Sequence, residues 1–189
     1  MIYLASSSPR RKELLQQMGV SFEVVPQFAD ESHISGESPE TYVSRLALEK
    51  AKDGLSRQKN QQIPVLGSDT AVILNGEILG KPENKQHAIE MLLSLSDQTH
   101  QVISAVALVN QDKQEQALSI SEVSFTKLSR TMCEHYWQTG EPADKAGSYG
   151  IQGLGALFVR NINGSYSGVM GLPVFETQLL LQKFSIKLL

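Results

Sequence analysis

The segment SSSPRR, residues 6–11, contains residue types that bind phosphate. It follows a short apolar run and precedes apolar residues at helical spacing, which predicts a strand, a tight loop and a helix. Acidic residues are favoured in the first turn of a helix, yet Arg10 and Arg11 occupy it here. Free backbone N–H groups, the hydroxyls of Ser6 and Ser8 and two guanidinium groups would form a polyphosphate site. The alternative is a solvated basic turn with its cations in water.

Asp69 is a carboxylate inside an apolar segment. Residues 65–74 read VLGSDTAVIL, which is typical of a buried strand. An unpaired carboxylate is costly to bury, so we expect Asp69 to contact a cation, a metal ion or water in a cleft. General base and metal ligand are the natural roles of such a group. A structural salt bridge is the alternative.

Lys50 is a candidate partner for a buried carboxylate. It lies at the centre of the apolar stripe of a helix predicted from Ser38-Pro39 to about Arg57. A lysine in that position needs a partner for its charge. The alternative places Lys50 at the rim of the core, with its amine in water.

Lys81 is a second candidate partner. The dipeptide at residues 75–76, Asn-Gly, predicts a type I′ hairpin, and its ideal register places Lys81 opposite Thr70. Lys81 would then lie beside Asp69 in the sheet. Strict alternation directs these two side chains to opposite faces, so their contact requires a β-bulge near a flanking glycine.

The segment GIQGLG, residues 150–155, is rich in glycine but has the spacing of neither a dinucleotide-binding motif nor a Walker loop. Its glycines would let Gln152 and backbone groups approach a flat ligand such as a base, although a simple loop turn explains them equally well. The four histidines have no metal-ligand spacing, and no serine lies in a nucleophile elbow. A zinc-histidine or covalent serine mechanism is therefore not expected.

Strands and helices must alternate to position these residues. The hairpin at residues 75–76 and the strands predicted at 102–109 and 117–127 are antiparallel, so we predict a mixed α/β sheet with flanking helices. The 189 residues fit a single domain, within which two lobes around a cleft are possible. Further helices are predicted at about 84–95, at 129–138 and from residue 173 to the C-terminus.

The overall composition excludes several classes of function. A formal net charge of -3 argues against a surface for a nucleic acid polymer. Cys133 is the only cysteine, so neither an intrachain disulfide nor a cysteine zinc site is expected. The N-terminus does not resemble a secretory signal, and no apolar run approaches the roughly 20 residues that a membrane span needs. We therefore predict a cytoplasmic protein without a membrane partner.

The chain resembles the Maf family over nearly its whole length. The resemblance rests on six segments in the family's order: SSSPRR (6–11), RLALEKA (45–51), GSDTAVI (67–73), GKP (80–82), EPADKAGSYGIQG (141–153) and NGSYSGVMGLP (163–173). Maf proteins are nucleoside triphosphate pyrophosphatases, and some are associated with inhibition of septum formation. The resemblance implies an inosine triphosphatase-like fold of two lobes around a substrate cleft, a divalent cation (Mg²⁺ or Mn²⁺) and a homodimer.

The resemblance also implies a role for each matching residue. Asp69 corresponds to the proton acceptor that activates the attacking water, and Glu31 would help Asp69 to hold the metal ion. The catalytic and phosphate-binding residues would include Lys50, Lys81, Arg11, Ser6 and Ser8.

Three positions point to a branch of the family. Arg10, Thr70 and Gln152 match the branch that hydrolyses dTTP and UTP to the monophosphate and pyrophosphate. One alternative is the related branch that resembles a 7-methylguanosine triphosphate pyrophosphatase. Another is a nucleotide-sensing regulator of cell division in which hydrolysis is incidental.

Overall fold

Seven strands form one mixed sheet in the computed structural model, which describes residues 1–188. The strands are β1 (Ile2–Leu4), β2 (Phe22–Val24), β3 (Val65–Leu74), β4 (Glu77–Leu79), β5 (Thr99–Val109), β6 (Gln114–Phe125) and β7 (Val159–Asn163). Their order is β2-β1-β3-β5-β6-β7, and β4 pairs with β3. β1 is parallel to β2 and β3, whereas the other pairs are antiparallel. The predicted mixed sheet is confirmed.

Helices cover both faces of this sheet. They are α1 (Pro9–Gln17), α2 (Pro39–Ser56), α3 (Lys85–Leu95), α4 (Arg130–Gln138), α5 (Tyr166–Met170) and α6 (Val174–Lys183). The Ser38 side chain caps α2 by accepting a hydrogen bond from the Thr41 amide, and Pro39 begins the helix. The last helix ends at Lys183, earlier than predicted. Within residues 1–188, no helix is both long and apolar enough for a membrane span.

The hydrophobic core has three parts. Alternate residues of β3 face opposite ways, so Val65 and Ile73 pack under α2 while Leu66 packs in the cluster on the other face. A third cluster contains Val72 and Phe125 and packs against α3 and α4. Val72 of this third cluster also lines a cleft.

One edge of β3 is open in the middle. On that edge β1 pairs with Val65 and Leu66, and β4 pairs with Val72 to Leu74. The opposite edge of β3 is paired with β5 from Val65 to Ile73. Residues 67–71 therefore have no strand beside them on one side. This gap lets Asp69 and Thr70, which face opposite sides of the sheet, both line the same cleft.

Candidate active site

A cleft of about 510 Å³ opens at the gap in the sheet. It is lined by the loop before α1, by one side of α2, by β3 and by the segment after β4. The structure brings nine of the ten predicted site residues to this cleft: Ser6, Ser8, Arg10, Arg11, Glu31, Lys50, Asp69, Thr70 and Lys81.

Lys50 bridges two carboxylates at the centre of the cleft. Its Nζ lies 2.7 Å from Asp69 Oδ1 and 2.6 Å from Glu31 Oε1. Burial raises the pKa of Asp69, and the charge of Lys50 only partly offsets this effect. Burial also opposes ionisation of Glu31, but the hydrogen bond from Lys50 and its charge outweigh it and lower the pKa of Glu31. The pKa values of the two carboxyl groups therefore shift in opposite directions.

Gly67 explains why α2 brings Lys50 so close to β3. A Cβ atom at Gly67 would lie 2.2 Å from the carbonyl oxygen of Ala47 and 2.6 Å from the amide nitrogen of Ala51. Only glycine permits this approach of the helix backbone to the strand. The close approach of the two backbones thus brings the side chains of Lys50 and Asp69 together. The prediction that Lys50 needs a partner is confirmed.

Arg11 is held in place by the backbone of the C-terminal segment. Its Nε donates to the carbonyl of Gly171 at 2.9 Å, and its Nη1 donates to Ser6 Oγ at 3.2 Å. Burial lowers the pKa of Arg11, while Asp69 opposes that shift. Arg10 Nε donates to the carbonyl of Met170 at 3.2 Å. The alternative of a solvated basic turn is therefore wrong, because both guanidinium groups are tied to the protein.

The Ser8 hydroxyl is available to a ligand at the start of α1. Ser8 is the N-cap residue, but its side chain makes no capping hydrogen bond. Its backbone amide donates to Ser6 Oγ at 3.2 Å, which fixes the loop. An uncapped first turn next to Arg11 is suited to phosphate oxygens.

Gly171 lines the cleft, although its sequence motif did not predict this role. Its carbonyl accepts hydrogen bonds from Arg11 Nε and, at 3.1 Å, from Ser68 Oγ. Thr70 Oγ1 lies 2.7 Å from Ser104 Oγ, which in turn donates to the carbonyl of Gly168. The glycines in the segment NGSYSGVMGLP were the available signal, since they indicate backbone that is closely approached.

The predicted pairing of Lys81 with Thr70 is wrong. β4 ends at Leu79, opposite Val72, so the ladder stops before Lys81. The chain turns away because the carbonyl of Gly80 accepts a hydrogen bond from the amide of Gly147 at 3.1 Å. Lys81 reaches the cleft from this connection, and no bulge is needed.

Gln152 does not line the cleft, although its neighbours Gly150 and Ile151 do. The amide of Gly153 donates to the carbonyl of Gly150, and this turn leaves Gln152 exposed. The sequence pattern could not distinguish a residue at the tip of the turn from one at its base.

Glu141 holds the glycine-rich segment in shape. Its carboxylate accepts hydrogen bonds from Tyr136 Oη at 2.6 Å and from the amides of Leu154 at 2.9 Å and Gly155 at 3.1 Å. A Cβ atom at Gly153 would lie 2.3 Å from a Glu141 oxygen. A side chain at Gly153 would therefore displace the Glu141 carboxylate from these hydrogen bonds, which the sequence alone could not reveal.

Among the acidic residues that line the cleft, Glu31 and Asp69 are the two held within reach of one ammonium group, that of Lys50. Within residues 1–188 no group of three or more histidine, cysteine or acidic side chains could enclose an ion. Mg²⁺ is usually bound by one or two carboxylates together with water and substrate phosphates. Two carboxylates at the edge of an open cleft fit that pattern, so the donor set suits Mg²⁺ or Mn²⁺.

Comparison with known protein sequences identifies the family of this chain. A sequence model described as Maf-like protein matches residues 1–184. The chain is 51% identical over 187 residues to a dTTP/UTP pyrophosphatase of Saccharophagus degradans, covering 98% of this chain and 89% of the relative. It is 52% identical over 189 residues to a dTTP/UTP pyrophosphatase of Alkalilimnicola ehrlichii, covering 98% and 93%. A solved Mycobacterium abscessus nucleoside-triphosphatase / dITP/XTP pyrophosphatase matches with a TM-score of 0.47 and 16% identity, covering 97% and 95%. From the match over residues 1–184, this chain belongs to the Maf family.

Proposed function

We propose that this chain hydrolyses dTTP and UTP to the nucleoside monophosphate and pyrophosphate. The observation that carries the proposal is the buried Asp69 carboxylate, 2.7 Å from Lys50 in a cleft that Arg11 and Lys81 also line. Relatives of 51 and 52% identity named dTTP/UTP pyrophosphatase support this choice of substrates. Arg10 and Thr70, which match that branch, both lie at the cleft.

Asp69 acts as the general base in this proposal. Burial raises its pKa, so the ionised carboxylate accepts a proton from water more readily than an exposed one does. Lys50 keeps the carboxylate ionised and fixes its orientation. The activated water attacks the α phosphorus, and pyrophosphate leaves.

The basic residues bind the triphosphate. Arg11 has two of its three nitrogens committed to protein contacts among residues 1–188, which orients the third for a phosphate oxygen. Lys81 and the Ser8 hydroxyl add further donors at the cleft. A divalent cation held by Glu31 and Asp69 would neutralise charge on the phosphates. Phosphoryl transfer depends mainly on such positioning and charge, which suits a site without a nucleophilic side chain.

Pyrophosphate release from a panel of nucleotides tests the proposal. The purified chain is assayed with dTTP, UTP, ATP and 7-methylguanosine triphosphate, each with and without Mg²⁺. We expect release from dTTP and UTP at an ordinary enzymatic rate of about 1 to 1,000 s⁻¹, and only with the metal. Preference for 7-methylguanosine triphosphate would contradict the substrate assignment. Tight binding of dTTP without pyrophosphate release would contradict the enzymatic function.

A further inference from the structure

The loop that carries Glu31 is held to the rest of the protein by contacts with α2, and at its start the Phe28 amide donates to Asp53 Oδ2 at 2.7 Å. This Glu31 loop, residues 27–37, contains no helix or strand. Within residues 1–188, segment 29–35 makes three hydrogen bonds or ion pairs outside the loop, all with α2. Tyr42 Oη donates to the carbonyl of Glu31 at 3.0 Å, Arg45 Nη2 donates to the carbonyl of Ser32 at 3.0 Å, and Lys50 pairs with Glu31.

Arg45 makes hydrogen bonds to this loop at two places. Its Nε and Nη2 donate to the two carboxylate oxygens of Glu37 at 2.7 and 2.8 Å, at the end of the Glu31 loop. The same Nη2 reaches the carbonyl of Ser32 in the middle. The Glu37 side chain is 4% exposed and that of Arg45 is 18% exposed, so water reaches this bidentate pair mainly from the arginine side. A planar guanidinium with two fixed partners is a rigid support.

Glu31 needs such a support because its own side chain is 53% exposed. Packing against the core therefore does not fix its carboxylate. The neighbouring Ser32 carbonyl is fixed by Arg45, so the backbone that bears the carboxylate is held from the adjacent residue. Tyr42 contributes a second anchor and stacks on His33, with ring centroids 4.9 Å apart.

We propose that Arg45 is a positioning residue that holds the Glu31 loop against α2 and so keeps the Glu31 carboxylate beside Asp69. Arg45 does not line the cleft and acts through Glu31 and the Glu37 pair. The metal-related part of this inference rests on the proposed function. The part that concerns loop order stands independently of it.

Arg45→Gln and Glu37→Gln test the role of this pair. Arg45→Lys tests whether another cation at residue 45 restores part of that role. Glu49→Gln is the matched control, because Glu49 also pairs with Arg45, at 3.2 Å, but lies in α2 and makes no loop contact. The first readout is hydrogen exchange of residues 28–37 in metal-free protein. The second is Mn²⁺ binding by calorimetry, and the third is the Mg²⁺ dependence of pyrophosphate release from UTP.

We expect Arg45→Gln and Glu37→Gln to speed exchange in the Glu31 loop by about five- to tenfold, the net effect of losing one ordinary hydrogen bond. Both should weaken Mn²⁺ binding and raise the Mg²⁺ requirement by a similar factor, with little change in kcat at saturating Mg²⁺. Arg45→Lys should fall between these variants and the wild type, and Glu49→Gln should match the wild type.

Unchanged exchange and unchanged Mn²⁺ affinity in Arg45→Gln would overturn the inference. If that variant fails to fold, the same result in Glu37→Gln would overturn it. A wild-type protein that releases no pyrophosphate would instead contradict the proposed function, and loop exchange would still decide the role of Arg45.

Discussion

The ammonium group of Lys50 lies 2.7 Å from Asp69 Oδ1 and occupies the position between Asp69 and Glu31. Lys50 is almost fully buried, whereas Glu31 reaches the surface. The protein therefore supplies its own cation to two carboxylates that also suit a divalent metal ion. A metal ion bound there, as the proposed function has it, would make Lys50 share its partners with a second positive charge.

Replacing Lys50 with methionine would leave Asp69 buried without its cation. We expect the free energy of unfolding of the metal-free protein to fall by about 3 kcal/mol, as for other buried pairs that lose one partner. Added Mg²⁺ should then raise the Tm of Lys50→Met more than that of the wild type, because it restores a positive charge near Asp69. Lys52→Met, at an exposed site of α2, is the control. An equal Mg²⁺ effect on all three proteins would contradict this role of Lys50.

Replacing Gly67 with alanine should separate α2 from β3. The added Cβ would meet the backbone of Ala47 and Ala51, which cannot move as a flexible side chain can. We expect a loss of at least about 2 kcal/mol in the free energy of unfolding, measured with urea. Gly80→Ala is the matched control, since a Cβ atom at Gly80 would have no neighbouring atom within 4 Å and its backbone has no positive φ. Equal stability of the two variants would show that the helix tolerates the displacement.

Glu141→Gln should loosen the glycine-rich segment. The amide group can replace only part of the hydrogen bonds that the carboxylate accepts from Tyr136, Leu154 and Gly155. We expect a loss of about 1 to 2 kcal/mol in stability and a KM for UTP raised several-fold, because Gly150 and Ile151 line the cleft. Glu134→Gln, on an exposed part of α4, serves as the control. A KM for UTP equal to the wild-type value would show that this segment does not affect substrate binding.

His100 should make stability depend on pH. Burial lowers its pKa to about 4, below the value of about 6.5 expected in the unfolded chain. The unfolded state therefore binds the proton more readily, and stability falls as the pH drops from about 6.5 to about 4. The loss attributable to His100 is about 3 kcal/mol at most. Urea unfolding across this range should show it, and His100→Gln should remove it; an unchanged pH profile in that variant would contradict the assignment.

Local pattern was sufficient to predict much of the fold. Apolar runs and helical spacing predicted most of the strands and helices to within a few residues, although not β7 or α5 in the glycine-rich part of the chain. The acid inside an apolar strand identified Asp69. The central position of Lys50 in the helical stripe likewise required a partner, which the structure supplies. These properties depend on residues close together in the chain, where the period of a strand or helix determines which side chains share a face.

The features that the sequence did not predict depend on contacts between distant segments. The predicted position of Lys81 was wrong because the carbonyl of Gly80 accepts a hydrogen bond from the amide of Gly147, far along the chain, and not from β3. Gly171 was overlooked because it acts through its backbone carbonyl, and every residue type has one. The only sequence signal is that the residue is a glycine. The support that Arg45 gives the Glu31 loop was equally hidden, since an arginine on an amphipathic helix is typical of any solvated face.

Pyrophosphate release from dTTP by Asp69→Asn, compared with the wild type, tests the central claim most directly. The amide has nearly the same shape but cannot accept a proton, so kcat should fall by about 100-fold or more while dTTP binding persists. Asp97→Asn, at a surface carboxylate that pairs with Arg160 at 3.7 Å, should retain full activity. Wild-type turnover by folded Asp69→Asn would contradict the role of Asp69 as the general base.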